Sequence, residues 1–223
     1  MPNRLRPRNI FGERERKQES IIPKDIFVIS IASEGKTEEQ YFDSLSEKLN
    51  NKIIKIDRLI RDDERDTKSH PIHIIDLLDE RVENWREHGA EANELWMVVD
   101  RDKQNVSKEQ LERIFSKCKE KGYNIALSNP TFELWLLFHI TDIANYNKEK
   151  LLNNEKVNKN RRFLDKELSN LNGGFKKNNL KFDDFYDGIN DAIERAKELP
   201  TNNNELLNKL GTSVSILVEQ IIK

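Results

Sequence analysis

Leu95-Trp96-Met97-Val98-Val99-Asp100-Arg101-Asp102 runs five apolar residues straight into two carboxylates flanking an arginine. An uninterrupted apolar run of this length predicts a strand buried on both faces, the kind found inside a parallel sheet. Upstream, Ile26-Phe27-Val28-Ile29-Ser30-Ile31 has the same character and stops at Ser33-Glu34-Gly35. Between the two lie a weaker strand over 53–60, a charged loop over 61–69 and a helix over 72–88, whose Ile75, Leu78, Val82 and Trp85 recur at three- and four-residue spacing. Thr37-Glu38-Glu39-Gln40 reads as a capping box opening a further helix with Tyr41, Leu45 and Leu49 on one face.

Downstream the alternation continues. Ser107-Lys108-Glu109-Gln110 is a second capping box, Leu111, Ile114, Phe115 and Cys118 form the stripe, and Gly122 stops the helix. A short strand over 123–127 follows. Asn129 is then expected to cap a helix with Pro130 at its first position and Phe132, Trp135, Leu136 and His139 along one side. Strands alternating with helices predict an α/β domain, Rossmann-like in plan, with a mainly parallel central sheet flanked by helices. Beyond residue 140 the pattern breaks. Residues 141–181 are rich in Asn and Lys, and two helical stripes close the chain, one through Phe185, Ile189, Ala192, Ile193 and Ala196 and one through Val214, Leu217, Val218 and Ile221. The expected organisation is a basic, loosely ordered arm over 1–24, an α/β core over 25–140, and an Asn/Lys-rich segment with C-terminal helices over 141–223 that pack on the core.

Composition narrows the function. The 223 residues include 38 Lys and Arg against 40 Asp and Glu, so any nucleic-acid surface must be a local patch rather than a global charge. One cysteine, Cys118, excludes a disulfide framework and fits a reducing cytoplasm. The N-terminus has basic residues with no apolar run behind them, which does not read as a signal peptide, and no segment approaches a membrane span. Gly35-Lys36-Thr37 imitates the end of a phosphate loop, but the glycine required five residues earlier is Ser30, inside a strand. His70, His73, His88, His139 and Cys118 show no zinc spacing, and no G-x-S-x-G phrase supports a serine triad.

The carboxylates are more informative. Glu34 follows the first strand, Glu38 lies one helical turn beyond, and Asp100 and Asp102 follow the strand at 95–99. Ligands of open α/β sheets bind outside the carboxyl ends of the strands. In extended backbone, residues 100 and 102 point the same way. Crowded carboxylates repel, and a hard cation such as Mg²⁺ (or Mn²⁺), which accepts a few carboxylates plus phosphate oxygens, relieves the repulsion. Glu133, in the first turns of the next helix, reaches the same sheet edge, although a helix dipole alone favours an acid there. Each feature by itself has an ordinary structural explanation. Their coincidence at two strand ends is what points to a site. Ser128 is a candidate for contact with substrate. Lys176 and Lys177, after Gly173-Gly174-Phe175, and Lys36 are candidate cations for a phosphoryl group.

The phrases Ser33-Glu34-Gly35-Lys36-Thr37-Glu38 with Tyr41-Phe42, Val98-Val99-Asp100-Arg101-Asp102, and Ser128-Asn129-Pro130-Thr131-Phe132-Glu133-Leu134-Trp135 resemble the RloB family over roughly residues 25–222. RloB-like proteins are similar to Toprim-domain proteins, which carry a Glu after the first strand and a DxD after a later one and act on phosphodiester bonds with Mg²⁺. The resemblance implies a Toprim-like fold, with Glu34 as acid/base or metal ligand and Asp100 and Asp102 on the metal. Glu38 and Glu133 are candidates for a second metal or for proton transfer. It implies a nuclease acting on DNA or RNA in anti-phage defence by abortive infection, within a larger complex or oligomer that includes an ATPase partner. Two other functions remain open: a non-catalytic scaffold binding nucleic acid or that partner, and nucleotidyl transfer, for which no nucleotide site is visible.

Overall fold

The structure, a computed structural model, describes residues 27–33, 35–49, 54–59, 71–87, 93–103, 106–159 and 161–223. The expected basic arm over 1–24 lies outside them.

The chain alternates as its apolar pattern dictates: β1 (Phe27–Ser33), α1 (Lys36–Leu49), β2 (Ile54–Leu59), α2 (Pro71–Glu87), β3 (Glu94–Asp100), α3 (Lys108–Lys121), β4 (Asn124–Asn129) and α4 (Glu133–Ile140). β1 to β4 are parallel in the order β2-β1-β3-β4, which confirms the α/β fold with a mainly parallel sheet. Ser107 and Gln110 form the expected capping box on α3, and Gly122 ends that helix in the left-handed region at φ 75°.

Strand residues alternate between two cores. Ile29, Ile31, Trp96 and Val98 face one layer with Tyr41, Phe42 and Leu45 of α1 and Leu134 to Phe138 of α4. Ala32, Met97 and Val99 face the other, with Ile74, Ile75 and Leu78 of α2 and Leu111, Ile114 and Cys118 of α3. This two-sided burial explains why these strands read as unbroken apolar runs.

After α4 come α5 (Lys148–Asn153), a small antiparallel hairpin of β5 (Lys156–Asn158) and β6 (Arg161–Arg162), and α6 (Phe163–Leu171). Then follow α7 (Asp183–Tyr186), α8 (Ile189–Lys197), α9 (Asn203–Leu206), β7 (Gly211–Thr212) and α10 (Val214–Ile222). β7 adds antiparallel to β4 at the sheet edge. The stripe expected over 185–196 is two helices, because the chain turns at Gly188. That glycine sits against the carbonyl of His139, where no side chain has room. α8 thereby packs closely on α4, and Leu217, Val218 and Ile221 of α10 join the same layer.

Two local expectations fail at the helix starts. Asn129 is not a helix cap. It ends β4, is fully buried, and donates its amide to the carbonyl of Leu206 at 2.6 Å, while α4 begins only at Glu133 with Phe132 as a cap that makes no side-chain bond. Thr37 and Gln40 do not cap α1 either. The Thr37 hydroxyl donates to the carbonyl of Lys177 at 2.6 Å. Gln40 donates to the carbonyl of Asn178 at 3.1 Å and accepts from the backbone N–H of Leu180 at 2.8 Å. Their polar groups fasten a segment about 140 residues away in sequence, a tertiary use that outcompetes the local one.

Candidate functional site

β3 delivers Asp100 to the carboxyl edge of the sheet, in register with Ser128 of β4. Between the two aspartates, Arg101 is buried and committed elsewhere. Its guanidinium donates to the carbonyls of Leu207 at 3.0 Å and Val106 at 2.8 Å, and its backbone N–H donates to Ser128 at 2.7 Å. These bonds fix the backbone of Arg101, the residue between Asp100 and Asp102 in sequence. Asp102 reaches Arg162 at 3.3 Å.

α4 brings in Glu133, its first residue, 3% exposed. α6 brings in Asp165, whose carboxylate accepts from the backbone N–H of Arg162 at 2.9 Å and so ties down the helix start. Both are first-turn acids, where the helix dipole favours negative charge. The loop before α7 supplies Lys177, whose ammonium lies 2.8 Å from Glu133 and 3.3 Å from Asp165. One positive charge is thus shared by two buried carboxylates. Burial, and then the Glu133 carboxylate, push Asp165 above the ordinary carboxylate range even though Arg162 and Lys177 pull the other way. Burial opposes the Lys177 ammonium, but Glu133, Asp165 and, further off, Asp100 outweigh it, so Lys177 titrates above an ordinary lysine and stays charged.

Glu38 lies in the first turn of α1, buried, its carboxylate folded back over Gly35. A Cβ added to that glycine would lie 2.5 Å from Glu38 Oε2. Glu34 lies outside the described residues. Lys36 and Lys176 are exposed. Ser128 is fully buried, and its hydroxyl is hydrogen-bonded to that of Thr212 at 2.9 Å, joining β4 to β7.

The structure therefore pairs Lys177 with Glu133 and Asp165, sets Asp100 near enough for its charge to act on that lysine, and ties Asp102 to Arg162 beside them. Asp165 and Arg162 were not among the residues singled out from sequence. Arg162-x-x-Asp165 carries a weak local signal, a helix-start pair three residues apart, but nothing in it announces that Lys177 will arrive. Among the described residues, no three His, Cys, Asp or Glu side chains gather closely enough to hold a metal ion. In donor type, Asp100 and Asp102 fit a hard divalent cation, and the third carboxylate named from sequence, Glu34, is the one not described. Nor, among these residues, is any helix long and apolar enough to cross a membrane.

This is an α/β protein with a cation-bridged carboxylate cluster at the carboxyl edge of a parallel sheet. The family model described as RloB-like protein matches residues 29–221, and the chain belongs to that family. Comparison with curated proteins and with solved structures found no match.

Proposed function

We propose that this protein is a Mg²⁺-dependent, Toprim-type nuclease that cleaves phosphodiester bonds of DNA or RNA. The observation that carries the reading is the pairing of two buried acids from separate helices, Glu133 and Asp165, with one lysine on which the Asp100 charge also acts, at the edge where α/β sheets bind ligands. Asp100 and Asp102, with Glu34, are the residues that would hold the cation. When bound, it polarises a phosphoryl oxygen and lowers the pKa of a bound water.

The chain's own groups supply the rest. Lys177, kept charged by its two acids, presents an ammonium to the anionic phosphoryl group. Glu133 and Asp165 fix its position through two ion pairs. Arg162 holds Asp102 in place. Glu38, in the first turn of α1, and Glu34, four residues before it in sequence, are assigned to proton transfer. Lys36 and Lys176 are exposed cations suited to flanking phosphates. In keeping with the family resemblance, we read such an activity as part of anti-phage defence by abortive infection, in the cytoplasm, with an ATPase partner and within a larger complex.

The test is cleavage of labelled DNA and RNA in Mg²⁺ or Mn²⁺ by the wild type, Asp100→Asn and Glu34→Gln. Cleavage by the wild type that both substitutions abolish supports the reading, and equal cleavage by all three refutes it. One observation favours a second reading, a non-catalytic scaffold for nucleic acid or the ATPase partner: the described acids are cross-linked by Lys177 and do not form a three-ligand metal group. Nucleic-acid binding without cleavage in any divalent cation would select it.

A further inference from the structure

We infer that the β5–β6 hairpin is a grip for the phosphate backbone of nucleic acid, rooted in the carboxylate cluster; the inference deepens the nuclease reading and rests on it. Residues 156–162, Lys-Val-Asn-Lys-Asn-Arg-Arg, carry four cations and no acid. Lys156, Lys159 and Arg161 are exposed, and so is Val157 at 46%. The fourth cation, Arg162, is the one that turns inward to Asp102.

The hairpin is firmly seated at its base. Asn154, buried and in the left-handed region at φ 41°, accepts from the backbone N–H of Leu164 at 2.9 Å and donates to the Thr131 hydroxyl at 3.5 Å. The backbone N–H of Phe163 donates to the Glu155 carbonyl at 2.9 Å. Thr131 lies two residues before Glu133, and Arg162 three before Asp165, so the same residues that anchor the hairpin border the site.

Charge distribution points the same way. Residues 148–181 contain ten Lys and Arg against four Asp and Glu, while the remainder of the chain carries 28 against 36. A chain of net charge −2 thus carries a surplus of six positive charges, ten less four, in the segment that brings Arg162 and Lys177 to its acidic site. An acidic site repels a polyanion, and a flanking basic element is what holds the backbone over it. Lysines on short, exposed strands contact phosphates without reading bases, so the grip should be indifferent to sequence.

The experiment is fluorescence anisotropy of labelled single-stranded DNA, the same sequence as RNA, and duplex DNA. It is run in EDTA so that binding is separated from cleavage, with the full chain and with Lys156→Ala/Lys159→Ala/Arg161→Ala. The single variant Lys159→Glu serves if the triple does not fold. Affinity should fall by about tenfold or more, and the slope of log affinity against log salt should flatten by about 2, near 0.7 per lost contact for single strands. Whichever of the three substrates shows the larger loss identifies the form that the hairpin grips. Unchanged affinity and slope, no binding by the wild type, or displacement by poly-glutamate as effective as by unlabelled nucleic acid would each overturn the inference. Cleavage in Mg²⁺ by the wild type is scored separately. Cleavage with hairpin variants that bind normally rejects the grip and keeps the nuclease, and weakened variants of a protein that never cleaves do the reverse.

Discussion

His139 makes the fold sensitive to acid, and the structure sets the size of the effect. Its imidazole is 6% exposed, ringed edge-on by Tyr41, Trp135 and Phe185. Nδ1 lies 2.9 Å from the carbonyl of Trp135, which can only accept, so Nδ1 carries the proton; Nε2, 3.0 Å from the Tyr41 oxygen, then accepts from that hydroxyl. Burial, with the Arg195 charge nearby, lowers the pKa from 6.5 to about 4, against the pull of the Trp135 carbonyl. The unfolded chain therefore binds a proton that the folded one refuses. The stabilisation from a neutral His139 is complete above pH 6.5, erodes as pH falls below that value, and is gone below about 4. Each pH unit between those two values is worth about 1.36 kcal/mol, so the loss comes to about 3 kcal/mol, a large part of the 5–15 kcal/mol typical of a domain. Urea unfolding of the wild type and of His139→Gln from pH 7.5 down to pH 4 measures it. The variant should be less stable by about 1–2 kcal/mol at neutral pH, from lost hydrogen bonds and packing. That deficit should shrink steadily with acid and vanish or reverse near pH 4, since other titrating groups act equally on both proteins. Two curves that stay parallel throughout would show that His139 is not held neutral and would refute the argument.

Gly188→Ala should cost about 3 kcal/mol or more, read as a lower melting temperature, because the new Cβ strikes the His139 backbone where α8 meets α4. Gly35→Ala should leave stability within about 1 kcal/mol, since the obstacle is the movable end of Glu38, yet lower the cleavage rate sharply if Glu38 acts in the reaction. Lys177→Met strands two buried acids and should cost about 1–3 kcal/mol. Adding Glu133→Gln should restore part of that loss, and a double-mutant cycle in urea gives the coupling directly.

How legible was the site? Asp100 and Asp102 could be read because a doubly buried strand is an apolar run and its end is marked by the first charge. The α3 capping box was legible because every partner lies within three residues. Thr37 and Gln40 were misread for the complementary reason. Their residue types fit a local cap, and only the arrival of residues 177–180 shows where the hydrogen bonds go. Asn129 failed likewise, its amide being claimed by the Leu206 carbonyl across the sheet edge. Residues 141–181 offered no periodicity, since helices as short as α5 and strands as short as β6 complete too few repeats to show one.

The sequence by itself determined the alternating strands and helices, the parallel sheet, and the edge at which the acids of β3 emerge. These follow from the spacing of apolar residues along neighbouring stretches of chain, and burial acts on that spacing wherever the stretch ends up. The tertiary structure alone decided that Lys177 stands between Glu133 and Asp165, and that a basic hairpin rises beside Asp102. Charge pairing depends on distance in space, and a linear string of Lys and Asp holds no record of which ones the fold will bring within a few ångströms.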